Sequence, residues 1–190
     1  MVKLTAKFQS AFQYAHELHT DHLRKGSATP YLAHLLAVTA IVLENGGDEE
    51  MAIAALLHDA VEDQGGYPIL ENIRNEFGER VAEFVDQLSD SYTNPKPPWR
   101  KRKIDYLAHL PEASYGALLI SLADKLHNAR SIIQDFDTHG HTIWDRFNGG
   151  KEGVLWYYRS LADFFIGYKE TWLSKEFVRV VSKMEELAQA

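Results

Sequence analysis

Residues 56 to 66 read LLHDAVEDQGG, a histidine and three carboxylates set at the end of the apolar run AIAALL. Taking that many polar and charged groups off water is costly unless something pairs with them. On a helix, residues four apart share a face, so His58 stands over Glu62 and Asp59 over Asp63 in two adjacent columns. Side chains of these types ligate divalent metals and move protons to and from a reacting water. Taken alone, the same stretch also suits an ordinary helix end in solvent.

A second stretch repeats the pattern. SLADKLHNARS, residues 121 to 131, follows the apolar ALLISLA and puts Asp124, Asn128 and Ser131 on one helical face. One buried Asp there could simply be an ion-pair partner; two such helices in one chain shift the balance toward a shared site. His34, in PYLAHLLAV, sits among leucines, where a lone histidine is commonly a hydrogen-bonded core residue.

Helical periodicity dominates the chain and strand-like alternation is scarce, which predicts an all-α fold of about eight to ten helices. A first helix is expected from about Thr5 to Leu23, with Phe8, Phe12, Ala15 and Leu18 inward, ended by RKGSATP. A second starts near Tyr31, buries Leu35, Val38, Ile41 and Val42, and stops at Asn45-Gly46-Gly47. Asp48 caps a third, which carries the HD stretch. Two short helices follow to Leu88, SYTNPKPPWRKRK reads as an exposed loop entering a helix at Trp99, and a long helix spans about Ser114 to Phe136. The loop DFDTHGHT, with His139 and His141, leads to two final helices near 153 to 170 and 174 to 188.

With 190 residues, one domain over 1–190 is expected. A net charge of −7 argues against nucleic-acid binding, which rests on a basic surface. No cysteine is present, which excludes disulfides, thiolate metal sites and a cysteine nucleophile. No run approaches the roughly 20 apolar residues of a membrane span, and the N-terminus does not read as a signal peptide, so a cytoplasmic location is expected.

In order, His34, His58-Asp59 and Asp124 form H…HD…D, which resembles the metal-binding signature of the HD-domain phosphohydrolases. Arg24-Lys25, Pro30-Tyr31 before His34, LLHDAVED, FGERV at 77 to 81 and LADKLHNAR at 122 to 130 resemble the hydrolase domain of RelA/SpoT-type alarmone enzymes over roughly residues 8 to 135. Only about two helices follow, so the chain resembles a stand-alone small alarmone hydrolase. The resemblance implies a single HD-domain helical bundle that uses Mn2+ to remove the 3′-pyrophosphate from ppGpp or pppGpp.

It further implies His34, His58, Asp59 and Asp124 as metal ligands, a nitrogen and oxygen set that also suits iron or zinc. Glu62 and Asp63 match the family's catalytic ED pair, with either one as the base. Arg24 and Lys25 match a basic pair contacting the nucleotide, Asn128 and Ser131 match nucleoside contacts, and Tyr31 could line the base pocket. A tetraphosphate needs positive charge, for which Lys101 and Lys103 in WRKRK and Lys151 in FNGGKEG are candidates. Residues 86 to 103 depart from the long enzymes, which leaves base preference open. Rival readings are an HD phosphatase acting on NADPH, adenine alarmones or mononucleotides, and a non-catalytic nucleotide-binding module. Neither oligomeric state nor regulation is legible.

Overall fold

A computed structural model of the protein describes residues 2–93 and 95–189. Among these the regular structure is ten α-helices and two short 3-10 segments, with one isolated antiparallel bridge, Leu23 to Pro30, and no sheet. Backbone contacts cluster into two units, Met1–Pro97 with His109–Ser121, and Pro98–Ala108 with Leu122–Ala190.

The first unit is organised around α3 (Glu49–Leu57), which packs on α1 (Ala6–Leu18), α2 (Leu32–Glu44) and α6 (Glu79–Leu88). Every residue of α3 from Met51 to Leu57 is buried, as expected of a helix apolar on all sides. Asp48 starts it by accepting the Met51 N–H at 2.9 Å, the expected cap. The short α4 (Ala60–Gln64) follows, then α5 (Tyr67–Phe77), which packs on α6. In α2, Leu35, Val38, Ile41 and Val42 are buried as their spacing predicts.

Two local expectations change. The first helix ends at Leu18 rather than Leu23, because the chain turns at His19 and enters the Leu23 to Pro30 bridge. Its buried stripe is Ala11, Ala15 and His19, while Phe12 is exposed, since small residues let α1 lie close on α3. The HD stretch is also not one unbroken helix: α3 stops at Leu57 and α4 begins at Ala60, with His58 and Asp59 in the turn between. Their backbones stay right-handed and the Asp63 N–H still donates to Asp59 O at 3.1 Å, so the predicted face survives the break.

The second unit contains α7 (Trp99–His109) up to Ala108, the part of α8 (Tyr115–His139) after Ser121, a 3-10 segment (Gly140–Arg146), α9 (Gly150–Tyr168) and α10 (Trp172–Gln189). The long helix thus runs one turn beyond Phe136, taking in His139. Here α9 packs on α10, burying Tyr157, Tyr158, Leu161, Phe165, Phe177 and Val181. The segment before α7 is largely exposed, as read from its prolines and charges; its Asn94 lies outside the described residues.

Candidate metal centre and its carboxylate pair

In the first unit, α2 supplies His34 and the turn after α3 supplies His58 and Asp59. One ligand atom from each lies within 4.8 Å of the other two. His34 Nε2 is 3.6 Å and His58 Nε2 3.0 Å from the same oxygen, Asp59 Oδ2. Both imidazoles are buried. His58 Nδ1–H donates to Ala55 O at 2.8 Å. A carbonyl can only accept, so the proton is held on Nδ1 and the Nε2 lone pair is directed toward the cluster. Two buried imidazole nitrogens and a carboxylate oxygen, oriented in this way, fit a divalent cation of the manganese, iron or zinc type.

Tyr31 closes one side. Its hydroxyl donates to Asp59 Oδ2 at 2.6 Å, and its ring stacks on His22 at 4.0 Å with an interplanar angle of 4°. His19 stacks behind at 5.2 Å from Tyr31, with its Nδ1 3.0 Å from His22 Nδ1. Burial, then the neighbouring histidines, hold His19 down at about 4 against the opposing pull of Asp59. The bridge Leu23 to Pro30 fixes this corner, with Arg24 N–H donating to Thr29 O and Tyr31 N–H to His22 O, each at 2.8 Å. It carries Arg24, whose guanidinium lies 5.7 Å from the Tyr31 ring centre, and the exposed Lys25.

One turn beyond His58 and Asp59, Glu62 and Asp63 lie on α4. Glu62 Oε1 accepts the Asp90 N–H at 2.8 Å, and Lys96 Nζ donates to Glu62 Oε2 at 3.3 Å and to Asp63 Oδ1 at 3.1 Å. Burial, reinforced by Asp90 and Asp59, raises the Glu62 carboxyl to about 7 despite Lys96. Asp63 is also raised, by burial and by Asp59. A carboxylate poised near neutrality is suited to exchange a proton with water, and a cation bound beside Asp59 would draw both groups back toward ionisation.

In the second unit, Asp124 is buried and its two oxygens accept from Asn128 Nδ2 and Lys125 Nζ. Lys125 also lies 5.3 Å from the Tyr106 ring centre. Ser131 Oγ donates to His127 O at 3.0 Å. Of the predicted phosphate contacts, Lys101 pairs with Asp105 on the exposed face of α7, Lys103 lies 5.1 Å from the Tyr157 ring centre, and Lys151 Nζ donates to Ala188 O at 2.6 Å.

The first unit thus brings together His34, His58, Asp59, Tyr31, Glu62 and Asp63, and the second joins Asp124 to Asn128. Sequence reasoning missed three neighbours of the site. His19 and His22 were absorbed into the first helix, although their i, i+3 spacing was a usable signal. Lys96 lay hidden among prolines and read as solvated loop.

The chain belongs to the HD-domain family, whose model matches residues 11–155. Among characterised proteins it is similar to the guanosine-3′,5′-bis(diphosphate) 3′-pyrophosphohydrolase MESH1 of Xenopus tropicalis, 39% identical over 125 residues, which cover 64% of this chain and 67% of that protein. The Mus musculus MESH1 is 35% identical over 130 residues, covering 67% of this chain and 70% of its own. Among solved structures, a metazoan ortholog of SpoT described as hydrolysing ppGpp superposes with a TM-score of 0.79 at 27% identity, over 96% of this chain and 98% of the other. No helix among the described residues is long and apolar enough to cross a membrane.

Proposed function

We propose that this protein is a metal-dependent hydrolase that removes the 3′-pyrophosphate from ppGpp and pppGpp, yielding GDP or GTP and pyrophosphate. The observation that carries the reading is the convergence of His34, His58 and Asp59, with Glu62 and Asp63 one turn away, in a chain similar to ppGpp hydrolases. Mn2+ is the proposed ion, and Asp124 the fourth ligand, the latter on the order of the H…HD…D motif in the sequence. On the same motif order, we read residues 1–190 as one catalytic domain. A cytoplasmic location goes with this substrate.

The ion supplies Lewis acidity, which makes water a better nucleophile and offsets charge on phosphoryl oxygens. His34, His58 and Asp59 would hold it, and Tyr31 orients Asp59. One of Glu62 and Asp63 takes the proton of the water that attacks the phosphorus bonded to the ribose 3′-oxygen; the P–O bond to that oxygen breaks, and the same carboxyl returns the proton to the leaving 3′-oxygen, giving the 3′-hydroxyl and pyrophosphate. Arg24, Lys25, Asn128 and Ser131 bind the nucleotide, with Tyr31 at the base, and Lys101, Lys103 and Lys151 face the phosphates once released from their resting partners.

Incubating purified protein with manganese and separate samples of ppGpp, pppGpp, ppApp, NADPH and mononucleotides tests this. Preferential conversion of ppGpp and pppGpp with release of intact pyrophosphate is expected. Faster release of inorganic phosphate from NADPH or a mononucleotide would overturn the substrate assignment.

A further inference from the structure

We propose that Lys96 is a positioning residue of the hydrolase, clamping Glu62 and Asp63 into one fixed arrangement beside the metal centre. The inference rests on the reading of those two residues as the water-activating pair. Neither charge pattern nor helix spacing singles out Lys96, which stands in the proline-rich NPKPP between α6 and α7.

Its placement is determined by how that segment is pinned. At one end the Asp90 N–H donates to Glu62 Oε1 at 2.8 Å. In the middle, Tyr92 O lies against Gly66, close enough that a Cβ there would come within 2.8 Å of it. The Tyr92 ring also stacks on Tyr67 at 4.4 Å, and its hydroxyl donates to Asp86. Pro95 and Pro97 flank Lys96 and restrict its backbone. The segment is therefore held against the turn between α4 and α5, and Nζ falls between the two carboxylates at 3.3 and 3.1 Å.

The chemistry of the pair calls for such a cation. Glu62 and Asp63 are adjacent, the negative charge of Asp59 repels both, and that of Asp90 repels Glu62. Without a counter-charge nothing would hold the two side chains together. An exposed ion pair contributes little, and Lys96 is 35% exposed, but Glu62 is 17% exposed and its second oxygen is already fixed by a backbone N–H, so the ammonium that bridges it to Asp63 leaves the two carboxylates little freedom. A carboxylate displaced by about 1 Å from its water costs on the order of 100-fold in rate.

The test uses the full chain as wild type, Lys96→Met and Lys96→Arg, with manganese affinity measured by calorimetry and kcat and KM for ppGpp separated. Lys96→Met is expected to lower kcat about 10- to 100-fold. Manganese affinity and KM should stay within about threefold, changes too small to count as a lost ligand or substrate contact. Lys96→Arg, which keeps the charge, should recover most of the rate. Unchanged kcat, a loss confined to KM, or a matching loss of metal affinity would overturn the proposal. A substrate-independent arm compares unfolding midpoints of Lys96→Met, Glu62→Gln and the double variant. Non-additive shifts support the clamp even if ppGpp proves not to be the substrate, and additive shifts overturn it even if ppGpp is cleaved.

Discussion

The Tyr31 hydroxyl donates to Asp59 Oδ2 at 2.6 Å, the oxygen that both His34 Nε2 and His58 Nε2 face. A residue of the loop before α2 thereby sets the direction of a carboxylate in the turn after α3. Removing a group that orients a metal ligand typically costs about 10- to 100-fold in metal affinity. Tyr31→Phe, which keeps the ring stacked on His22, is expected to weaken manganese binding by that factor in calorimetric titration. Unaltered affinity would show that Asp59 is oriented without it.

Deleting a ligand should act more severely. His34→Ala, His58→Ala, Asp59→Ala and Asp124→Ala are each expected to retain no manganese after dialysis, by elemental analysis, and to lose ppGpp hydrolysis. Chelation of the wild type should reproduce the loss, and added manganese should reverse it. Asp124→Ala is the most informative, because its carboxylate is occupied by Lys125 and Asn128 within its own unit. Retained metal in that variant would make it a structural ion-pair residue.

Glu62→Gln and Asp63→Asn separate holding the ion from using it. Both should bind manganese as the wild type does and lose about 100- to 10,000-fold in kcat, the range of general acid and base catalysis. The variant with the larger loss marks the base.

Stability of the metal-free protein should depend on pH through two buried groups acting in opposite directions. His19 takes a proton near 4 in the folded protein against 6.5 ordinarily, so between these values the unfolded chain binds more protons. Its contribution is fully present above pH 6.5 and is lost as pH falls toward 4. For Glu62 the folded value of about 7 lies above the ordinary 4.5, so its contribution is present below 4.5 and is lost as pH rises to 7. Thermal melts between pH 4 and 8 should show a smaller acid loss in His19→Gln and a smaller loss toward neutrality in Glu62→Gln, each relative to wild type.

Gly66 tests the support beneath the carboxylate pair. Its φ of 67° and the closeness of Tyr92 O leave no room for a side chain. Gly66→Ala is expected to cost about 1–3 kcal/mol in denaturant unfolding, and to lower kcat as the Asp90 to Lys96 segment moves off the pair. Wild-type stability in this variant would mean that the turn relaxes freely.

Much of the site was legible because most of its members lie at helical spacing, which translates into a shared face even through the turn at His58 and Asp59. The apolar lead-in AIAALL marked α3 as central, and Glu62 and Asp63 fell one turn beyond His58 and Asp59 as their numbering required. Of the missed neighbours, Lys96 obeys no such period. Phe12 was read as core and is exposed, because close approach to α3 selected Ala11 and Ala15 instead. His19 and His22 belong to the site because the chain leaves the helix at Leu18, which periodicity did not reveal.

By itself, then, the order of residues determined the helical class and the apolar α3, which follow from local spacing, while the HD and ED groups were picked out by the resemblance of H…HD…D and LLHDAVED to a known family. Only the tertiary structure decided that Tyr31 points at Asp59 and that Lys96, more than thirty positions downstream, lands between Glu62 and Asp63. Contacts of that kind depend on how loops return across the chain, and a loop's path is set by the packing of the helices it joins rather than by its own composition.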